Sequence, residues 1–290
     1  ISDPPCIMQS PRTIKKVIKS RPTIEGAGVV LKRSFGNEHA PQLDPFLLLD
    51  DFGSGNREDY IKGFPWHPHR GIETITYVMR GRVEHGDSMG NSGVIASGDI
   101  QWMTAGSGII HQEMPEGDAE GVLRGLQLWA NLPSSHKMMN PRYRGFEARE
   151  IPEVTLKSGV SIRVVAGEVE GTKGPVQDVV IDPVYLDVTV PPGTEFQRSV
   201  TAGHTVFAYV LEGSGYFDFR EDAEIGTENL VLYEDGDTVE IKAGAKGARF
   251  LLISGKPLGE PVAWYGPIVM NTREELETAM EEFRNGTFVK

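Results

Sequence analysis

The chain has 290 residues, 39% hydrophobic and 24% charged, and a formal net charge of -12. This is the composition of an ordinary soluble globular protein. The negative charge argues against binding to nucleic acid or an acidic membrane surface, because both need Lys and Arg to neutralise phosphate. A chain of this length can form one large domain or two domains of ordinary size.

Cysteine content and hydropathy point to a compartment. The single cysteine, Cys6, excludes an intrachain disulfide framework and favours a reducing, intracellular environment. No stretch approaches the roughly 18 apolar residues of a membrane span, and no charged-then-apolar signal peptide opens the sequence. We therefore expect a cytoplasmic protein, or a nuclear one if the source is eukaryotic, with no membrane partner.

Short strands between turns make up most of the sequence. Residues 74–79 are rich in β-branched and aromatic side chains, which is typical of a strand, and 34 glycines and 19 prolines supply turns. No βαβ alternation is present. The pattern predicts an all-β chain of sandwich or barrel type. One helix follows near the end, because Thr272 and Glu275 form a capping box and Gly286 stops the helix.

Two pairs of candidate metal ligands lie about forty residues apart. His67 and His69 form one pair, and His111 and Glu113 form the other. Residues i and i+2 of a strand share a face, so each pair can aim at one point. Imidazole and carboxylate ligands suit Fe, Mn, Ni, Cu or Zn. The alternative is that the first pair caps a turn and that His111 is a hydrogen-bonded core residue.

An internal repeat tests that alternative. Residues 77–81 align with residues 209–213, and residues 98–99 align with residues 236–237, which indicates a duplicated domain. The four candidate ligands then stand opposite residues of other types: Ser199, Thr201, Arg249 and Leu251. A structural role would require some of the four in the second copy too, so their absence favours a metal site in the first copy alone.

Five segments together resemble the pirins. They are residues 43–48, 67–73, 98–111, 125–132 and 266–272, and the resemblance runs through the whole chain. The most specific part is the run Gln-Trp-Met-Thr-Ala-Gly within the third segment. Pirins are bicupins, so the resemblance implies two antiparallel β-barrels (jelly rolls) that face each other, with iron in the N-terminal barrel only.

Three segments of the chain correspond to this architecture. Residues 1–132 are expected to form the metal-binding cupin domain. Residues 133–149 are polar and rich in Pro, Arg and Met, and we interpret them as the connection. Residues 150–290 are expected to form the second cupin domain, which lacks metal ligands and ends in the helix.

The resemblance also implies a ligand set. His67, His69, His111 and Glu113 are expected to bind Fe(II), with Mn, Ni, Cu or Zn as alternatives. The wider cupin pattern His-x-His-x3-Glu would instead nominate Glu73, which has that spacing here. We prefer Glu113 as the ligand and expect Glu73 to orient a histidine or a water from outside the ligand set.

Some pirins are similar to quercetin 2,3-dioxygenases, which open a flavonol ring with O2 and release carbon monoxide. The resemblance therefore implies an oxidoreductase that takes O2 and a small aromatic substrate such as a flavonol. If its metal bond is long or lost, Glu113 can act as general base toward the flavonol hydroxyl. Four apolar side chains are expected to stack the flat substrate: Phe52, Trp102, Met103 and Met114.

Other pirins are transcriptional co-regulators or partners of metabolic enzymes. This gives a second hypothesis, a redox-sensitive iron protein that acts through a regulatory protein partner without direct contact with nucleic acid. A third is a metal-bearing fold whose natural substrate is unrelated to flavonols, since fold does not determine function. The sequence alone does not choose among the three.

Overall fold

The computed structural model describes residues 10–220 and 222–290, and their regular structure is mostly β-strand. Cys6 lies outside the described residues. The strands are β1 (Ile14–Lys19), β2 (Arg21–Glu25), β3 (Val29–Phe35), β4 (Phe46–Asp51), β5 (Phe64–His69), β6 (Ile72–Arg80), β7 (Arg82–Asp87), β8 (Ser92–Ile95), β9 (Ile100–Thr104), β10 (Ile109–Glu116), β11 (Arg124–Asn131), β12 (Arg142–Phe146), β13 (Glu153–Thr155), β14 (Ser161–Ala166), β15 (Glu168–Val169), β16 (Thr172–Lys173), β17 (Val184–Val190), β18 (Glu195–Ser199), β19 (Thr205–Tyr216), β20 (Ile225–Gly226), β21 (Asn229–Tyr233), β22 (Thr238–Gly255), β23 (Ala263–Tyr265) and β24 (Ile268–Met270).

Helices are few in this part of the chain. Three short 3-10 helices occupy Arg57–Asp59, Ser134–His136 and Ala148–Glu150, and the α-helix α1 occupies Arg273–Arg284. The predicted capping box of α1 is confirmed, because Thr272 accepts from the Glu275 backbone and the Glu275 side chain accepts in return. Within residues 10–220 and 222–290, no helix is long and apolar enough to span a membrane.

The chain divides into two compact units. The first, called here the histidine unit, contains Ser20–Ile151, Pro175–Ile181 and Leu258–Lys290. The other, called the second unit, contains the described residues up to Lys19, together with Pro152–Gly174 and Asp182–Pro257.

These boundaries differ from the expected segments. Residues 258–290 pack with the histidine unit, because Val269 joins its core and Ile268 bridges to Arg70. Residues 133–149 are more than a connection, since β12 within them pairs with β9. Sequence order alone did not reveal that the end of the chain returns to the unit that carries the candidate metal ligands.

Two antiparallel sheets form most of the histidine unit. The order of the larger sheet is β12-β9-β6-β11-β4-β3-β2, and that of the smaller sheet is β5-β10-β7-β8. β6 lies inside the larger sheet and is buried from Ile72 to Val78, as expected for a strand covered on both faces. The two pairs of candidate ligands lie on β5 and β10, which are neighbouring strands of the smaller sheet.

Strand register places a row of polar side chains across the larger sheet. Going across β3, β4, β11, β6 and β9, the directly paired residues are Arg33, Asp50, Gln127, Thr76 and Gln101. Directly paired residues in antiparallel strands share a face, with Cβ atoms about 5 Å apart. We call these five residues the polar row.

Arg70 ties the end of the chain to the strand that carries the first histidine pair. Its side chain is 2% exposed. Nε donates to the Ser107 carbonyl at 2.6 Å, and Nη2 donates to Glu282 Oε2 at 2.7 Å and to the Phe288 carbonyl at 2.9 Å. The guanidinium also lies 4.3 Å from the centroid of the Phe288 ring. Arg70 therefore holds α1 and the residues after it against β5.

Lys137 is a second buried cation in the histidine unit. Its Nζ donates to the carbonyls of Gly71 and Val269 at 2.8 Å each and to Asn131 Oδ1 at 2.5 Å. Burial lowers the pKa of Lys137 to about 7. One ammonium group thus joins the turn after β5, the end of β11 and the strand β24.

The second unit has its own sheet and core. Its strand order is β1-β21-β19-β22-β17-β14-β13, with β18 paired to the first part of β22. Many of its buried apolar side chains belong to one cluster, which includes Val164, Leu186, Val210 and Phe250. It contains no three-ligand group of His, Cys, Asp or Glu within the residues that the structure describes.

Strand pairing corrects part of the repeat alignment. β19 pairs with β22 around Leu251, as β6 pairs with β11 around Leu126. The stretch that corresponds to β10 is instead residues 238–242, which pair with β18 as β10 pairs with β5. The alignment slipped because β22 runs without interruption through both stretches. Neither β18 nor residues 238–242 contain a histidine, so the second copy still lacks the imidazole ligands.

Candidate metal centre

Three imidazoles converge where β5 and β10 pair. His111 lies directly opposite His67 in the antiparallel register, and His69 follows two residues later on the same face. The Nε2 atoms of His67 and His69 are 3.1 Å apart, and those of His67 and His111 are 2.9 Å apart. The structure thus brings together the three histidines that the sequence nominated.

Backbone carbonyls determine which ring nitrogens carry protons. His67 Nδ1 lies 2.8 Å from the Pro65 carbonyl, and His69 Nδ1 lies 3.0 Å from the Pro267 carbonyl. A carbonyl oxygen can only accept, so Nδ1 is the protonated nitrogen in both neutral rings. Two Nε2 lone pairs then face each other at 3.1 Å. That arrangement is repulsive unless a cation binds between them, so the donor set fits a transition metal.

The buried histidines are held neutral. Burial lowers the pKa of His69 well below its usual value, and the adjacent His67 and His111 lower it further. Burial also lowers the pKa of His111 well below its usual value, with smaller contributions from His67 and His85. Neutral imidazole is the form that coordinates a metal. Metal binding at these residues stays a prediction, supported by this protonation pattern.

Glu113 lies beside the cluster but is engaged by other side chains. Its carboxylate is not part of the group of ligand atoms that lie within 4.8 Å of one another. Thr76 Oγ1 donates to Glu113 Oε1 at 2.9 Å, and Gln127 Nε2 donates to both oxygens, at 3.1 and 2.9 Å. Trp129 Nε1 donates to Gln127 Oε1 at 3.0 Å and so fixes which end of the amide faces Glu113.

The substitution Gln127→Leu should lower the free energy of unfolding of the metal-free protein by about 2–3 kcal/mol, since a hydrogen bond to a buried charged group is worth roughly that much. Urea unfolding would measure it. The matched control is Gln112→Leu, because Gln112 is half-buried on β10 and makes no side-chain hydrogen bond with the described residues. Equal losses in the two variants would contradict a specific role of Gln127 in holding Glu113.

Glu73 makes different contacts from those expected of it. It lies three residues before Thr76 of the polar row on β6, and residues at odd spacing on a strand point to opposite faces. Glu73 therefore points to the face opposite the polar row. Thr104 Oγ1 donates to Glu73 Oε1 at 2.6 Å, and Arg144 Nη2 lies 3.6 Å from the same oxygen. None of its described contacts is a histidine. The spacing that nominated Glu73 does not account for strand parity, which turns it away from the cluster.

A cavity of about 660 Å³ opens beside the histidines. Its lining includes His67, His69, Glu113, Phe64, Trp129 and Trp264. The ring of Trp129 meets His69 edge-on, with centroids 5.0 Å apart, and lies 6.2 Å from the ring of Trp264. This volume is within the range of small-molecule sites, and two indoles supply broad apolar walls.

The four side chains expected to stack a substrate do not line this cavity. Phe52 packs in a core cluster with Leu31 and Val83, and Met103 joins another core cluster. Trp102 is buried on the face of the larger sheet to which Glu73 points. Met114 points to the opposite side of β10 from Glu113. Their strands lie near the site, but parity or core packing takes the side chains elsewhere.

Sequence reasoning missed Gln127, Trp129 and Trp264 as individual site residues. Gln127 and Trp129 stand at i and i+2 on β11, and apart from Arg124 at the strand's start they are its only half-buried residues. That polar and aromatic spacing was the available signal. Trp264 had no such signal, because its position depends on the return of residues 258–290 to the histidine unit.

Comparisons with known proteins cover both halves of the chain. The family model described as Pirin matches residues 28–130, and the model described as Pirin C-terminal cupin domain matches residues 185–289. A Pirin-like protein of Caulobacter vibrioides is 45% identical over 96% of this chain and 99% of its own length. A Pseudomonas aeruginosa protein provisionally named quercetin 2,3-dioxygenase is 41% identical over 95% of this chain and 97% of its own length.

The fold has a solved counterpart as well. A crystal structure titled as quercetin 2,3-dioxygenase from Acinetobacter baumannii matches with a TM-score of 0.85 and 31% sequence identity. The match covers 96% of this chain and 99% of that one.

Proposed function

The chain belongs to the pirin family, and from that premise we propose that it is a metal-dependent dioxygenase of the quercetin 2,3-dioxygenase type. Such an enzyme opens a flavonol ring with O2 and releases carbon monoxide. The observation that carries the proposal is the convergence of three imidazoles beside a cavity of about 660 Å³, which His67 and His69 line. The names of two relatives add support.

His67, His69 and His111 are the residues that would hold the metal, which we propose to be Fe(II), with Mn, Ni, Cu or Zn as alternatives. A bound divalent metal supplies Lewis acidity, which lowers the pKa of a substrate hydroxyl. The carbonyls of Pro65 and Pro267 keep the first two rings in the tautomer that presents Nε2. The ring orientation is therefore set by the protein.

Glu113 is the proposed general base. Its oxygens are fixed as hydrogen-bond acceptors by Thr76 and Gln127, and the carboxylate lines the cavity. A proton from a flavonol hydroxyl can pass to one of these oxygens. Trp129 and Trp264 would contact the flat ring system and exclude water from it, which strengthens electrostatic interactions inside the cavity.

Turnover of a flavonol tests this function. Protein loaded with Fe(II) without oxygen is mixed with quercetin and then with O2, and the loss of flavonol absorbance and the release of carbon monoxide are followed. We expect turnover that requires both the metal and His69, with His69→Ala as the inactive comparison. Tight metal binding without any turnover would contradict the proposal.

A second candidate is a redox-sensitive regulatory protein that binds a protein partner in the cytoplasm. The observation that favours it is the exposure of Trp66, which precedes His67 on β5 and is 55% exposed on the outer face of the smaller sheet. Val94 on β8 of the same sheet is exposed as well. A change of metal charge beside an exposed aromatic side chain would alter the surface that a partner contacts. The test captures partners from cell extract under reducing and oxidising conditions and compares wild type with Trp66→Ser. Equal capture by both proteins would contradict this second candidate.

A further inference from the structure

A cluster of three charged side chains lies on another part of the cavity wall. Arg33 donates from Nε to Asp50 Oδ1 and from Nη2 to Asp50 Oδ2, both at 2.7 Å. Its Nη1 lies 2.8 Å from Glu25 Oε1. All three residues line the cavity of about 660 Å³ that the histidines also line. We call them the Arg33 cluster.

The polar row connects this cluster to the candidate metal centre. Asp50 on β4 is directly paired with Gln127 on β11, and Gln127 holds the carboxylate of Glu113. One wall of the cavity is therefore polar from Glu113 to Arg33, while Trp129 and Trp264 supply apolar surface. A flat ligand with hydroxyls along one edge matches this division of polar and apolar surface.

The charges of the Arg33 cluster do not cancel. One guanidinium faces two carboxyl groups, so the cluster has a negative formal charge and an excess of hydrogen-bond acceptors. The side chains of Arg33 and Asp50 are 14% and 9% exposed, whereas that of Glu25 is 41% exposed and accessible to a ligand. An anionic group on a ligand would be repelled here, whereas a phenolic hydroxyl could donate to a carboxylate oxygen.

Hydrogen bonding within the pair and burial act in opposite directions on its ionisation. Burial alone would lower the pKa of Arg33, but its hydrogen bonds with Asp50 and the attraction of both carboxylates raise it. Burial raises the pKa of Asp50, and its hydrogen bonds with Arg33 offset only part of that increase, so the pKa is raised overall. A buried ion pair adds little net stability compared with apolar residues of similar size, so stability alone does not explain why charges line this wall.

We propose that the Arg33 cluster is the specificity-determining subsite of the cavity. In a neutral polyphenol, one hydroxyl faces the metal centre, and the Arg33 cluster recognises the remaining hydroxyls. It disfavours carboxylated analogues. This inference rests on the proposed function, because it names the substrate class of the same cavity. The subsite would thus select polyhydroxylated flavonols over unsubstituted ones.

Equilibrium binding without O2 separates recognition from turnover. Isothermal titration calorimetry on the metal-loaded protein compares quercetin with 3-hydroxyflavone, which keeps the metal-facing hydroxyl and lacks the others. A flavone carboxylic acid is the anionic probe. We expect wild type to bind quercetin about tenfold more tightly than 3-hydroxyflavone, as one or two net hydrogen bonds would provide.

Three variants complete the experiment. Glu25→Gln removes the more exposed carboxylate and should reduce the preference for quercetin and improve binding of the carboxylic acid. The double substitution Arg33→Met with Asp50→Leu removes both members of the buried pair together, without leaving an unpaired buried charge. It also removes the contact that positions Glu25, so it should abolish the preference. Trp264→Phe is the matched control and should weaken both flavonols equally.

The outcomes distinguish the subsite from the proposed function. If both flavonols bind and the double variant keeps the wild-type preference, the subsite proposal is overturned while the flavonol function stands. If neither flavonol binds to wild type, the flavonol function fails and the subsite fails with it. A preference that falls in Glu25→Gln and vanishes in the double variant, but persists in Trp264→Phe, supports the subsite.

Discussion

The substitution His69→Ala should weaken transition-metal binding by more than about 100-fold, since residues that only contact metal ligands already change affinity 10- to 100-fold. His69 is 1% exposed, and its Nε2 is one of three that converge. Alanine would leave only His67 and His111, and no other side chain of β5 could replace the third imidazole. Competition with a chelator, using Fe(II) without oxygen or Ni(II), measures the affinity.

The control for His69→Ala is another buried histidine of the same unit. His85 is 6% exposed, lies outside the cluster, and has Nε2 2.7 Å from the Tyr143 hydroxyl. His85→Ala also removes a buried imidazole and should therefore disturb local packing to a similar extent, but the protein should still bind the metal. If both variants lost metal equally with unchanged circular dichroism, the three-histidine centre would be the wrong site.

Loss of Lys137 should produce the largest change in stability. Lys137→Met keeps an apolar stem of similar length but removes the ammonium that three oxygen atoms share. We expect the free energy of unfolding to fall by about 3 kcal/mol, because three buried oxygen atoms lose this donor and a buried polar group left unsatisfied costs about 1–3 kcal/mol. The exposed Lys157→Met is the comparison and should stay within about 0.5 kcal/mol.

The effect of Lys137 also depends on pH. Its pKa is about 7 in the folded protein against an ordinary value of 10.5. Between these values the unfolded chain keeps a proton that the folded chain has released, so stability rises with pH by at most about 1.4 kcal/mol per unit. Lys137→Met lacks this contribution, so the difference between wild type and variant should grow from pH 7 to pH 9. Urea unfolding across that range measures it, and a constant or shrinking difference would contradict the lowered pKa.

The candidate ligands illustrate what local spacing can predict. Strand parity alone placed His67 with His69 on one face, and the structure adds that His111 lies directly opposite His67. The same parity, applied to β6, turns Glu73 away from the polar row. Glu113 has the right parity, yet its contacts are Thr76 and Gln127, a pairing that depends on the register of β6, β11 and β10 together.

The substrate pocket shows the limit of such reasoning. Phe52, Trp102, Met103 and Met114 are close to the motifs in sequence, but core packing or the wrong face of a strand removes them from the cavity. Trp264, which does line it, lies about 150 residues beyond the last histidine of the cluster. No local pattern predicts that contact.

The sequence by itself determined the β-rich class, the duplicated cupin architecture, the capped C-terminal helix and the three histidines. Each of these depends on short-range periodicity, on capping or on motifs that a single stretch of chain contains. Tertiary structure alone decided the rest. The return of residues 258–290 to the histidine unit brings the Pro267 carbonyl to His69, and register across three strands aligns Arg33 and Asp50 with Gln127. Both depend on contacts between residues far apart in the chain, which local preferences do not encode.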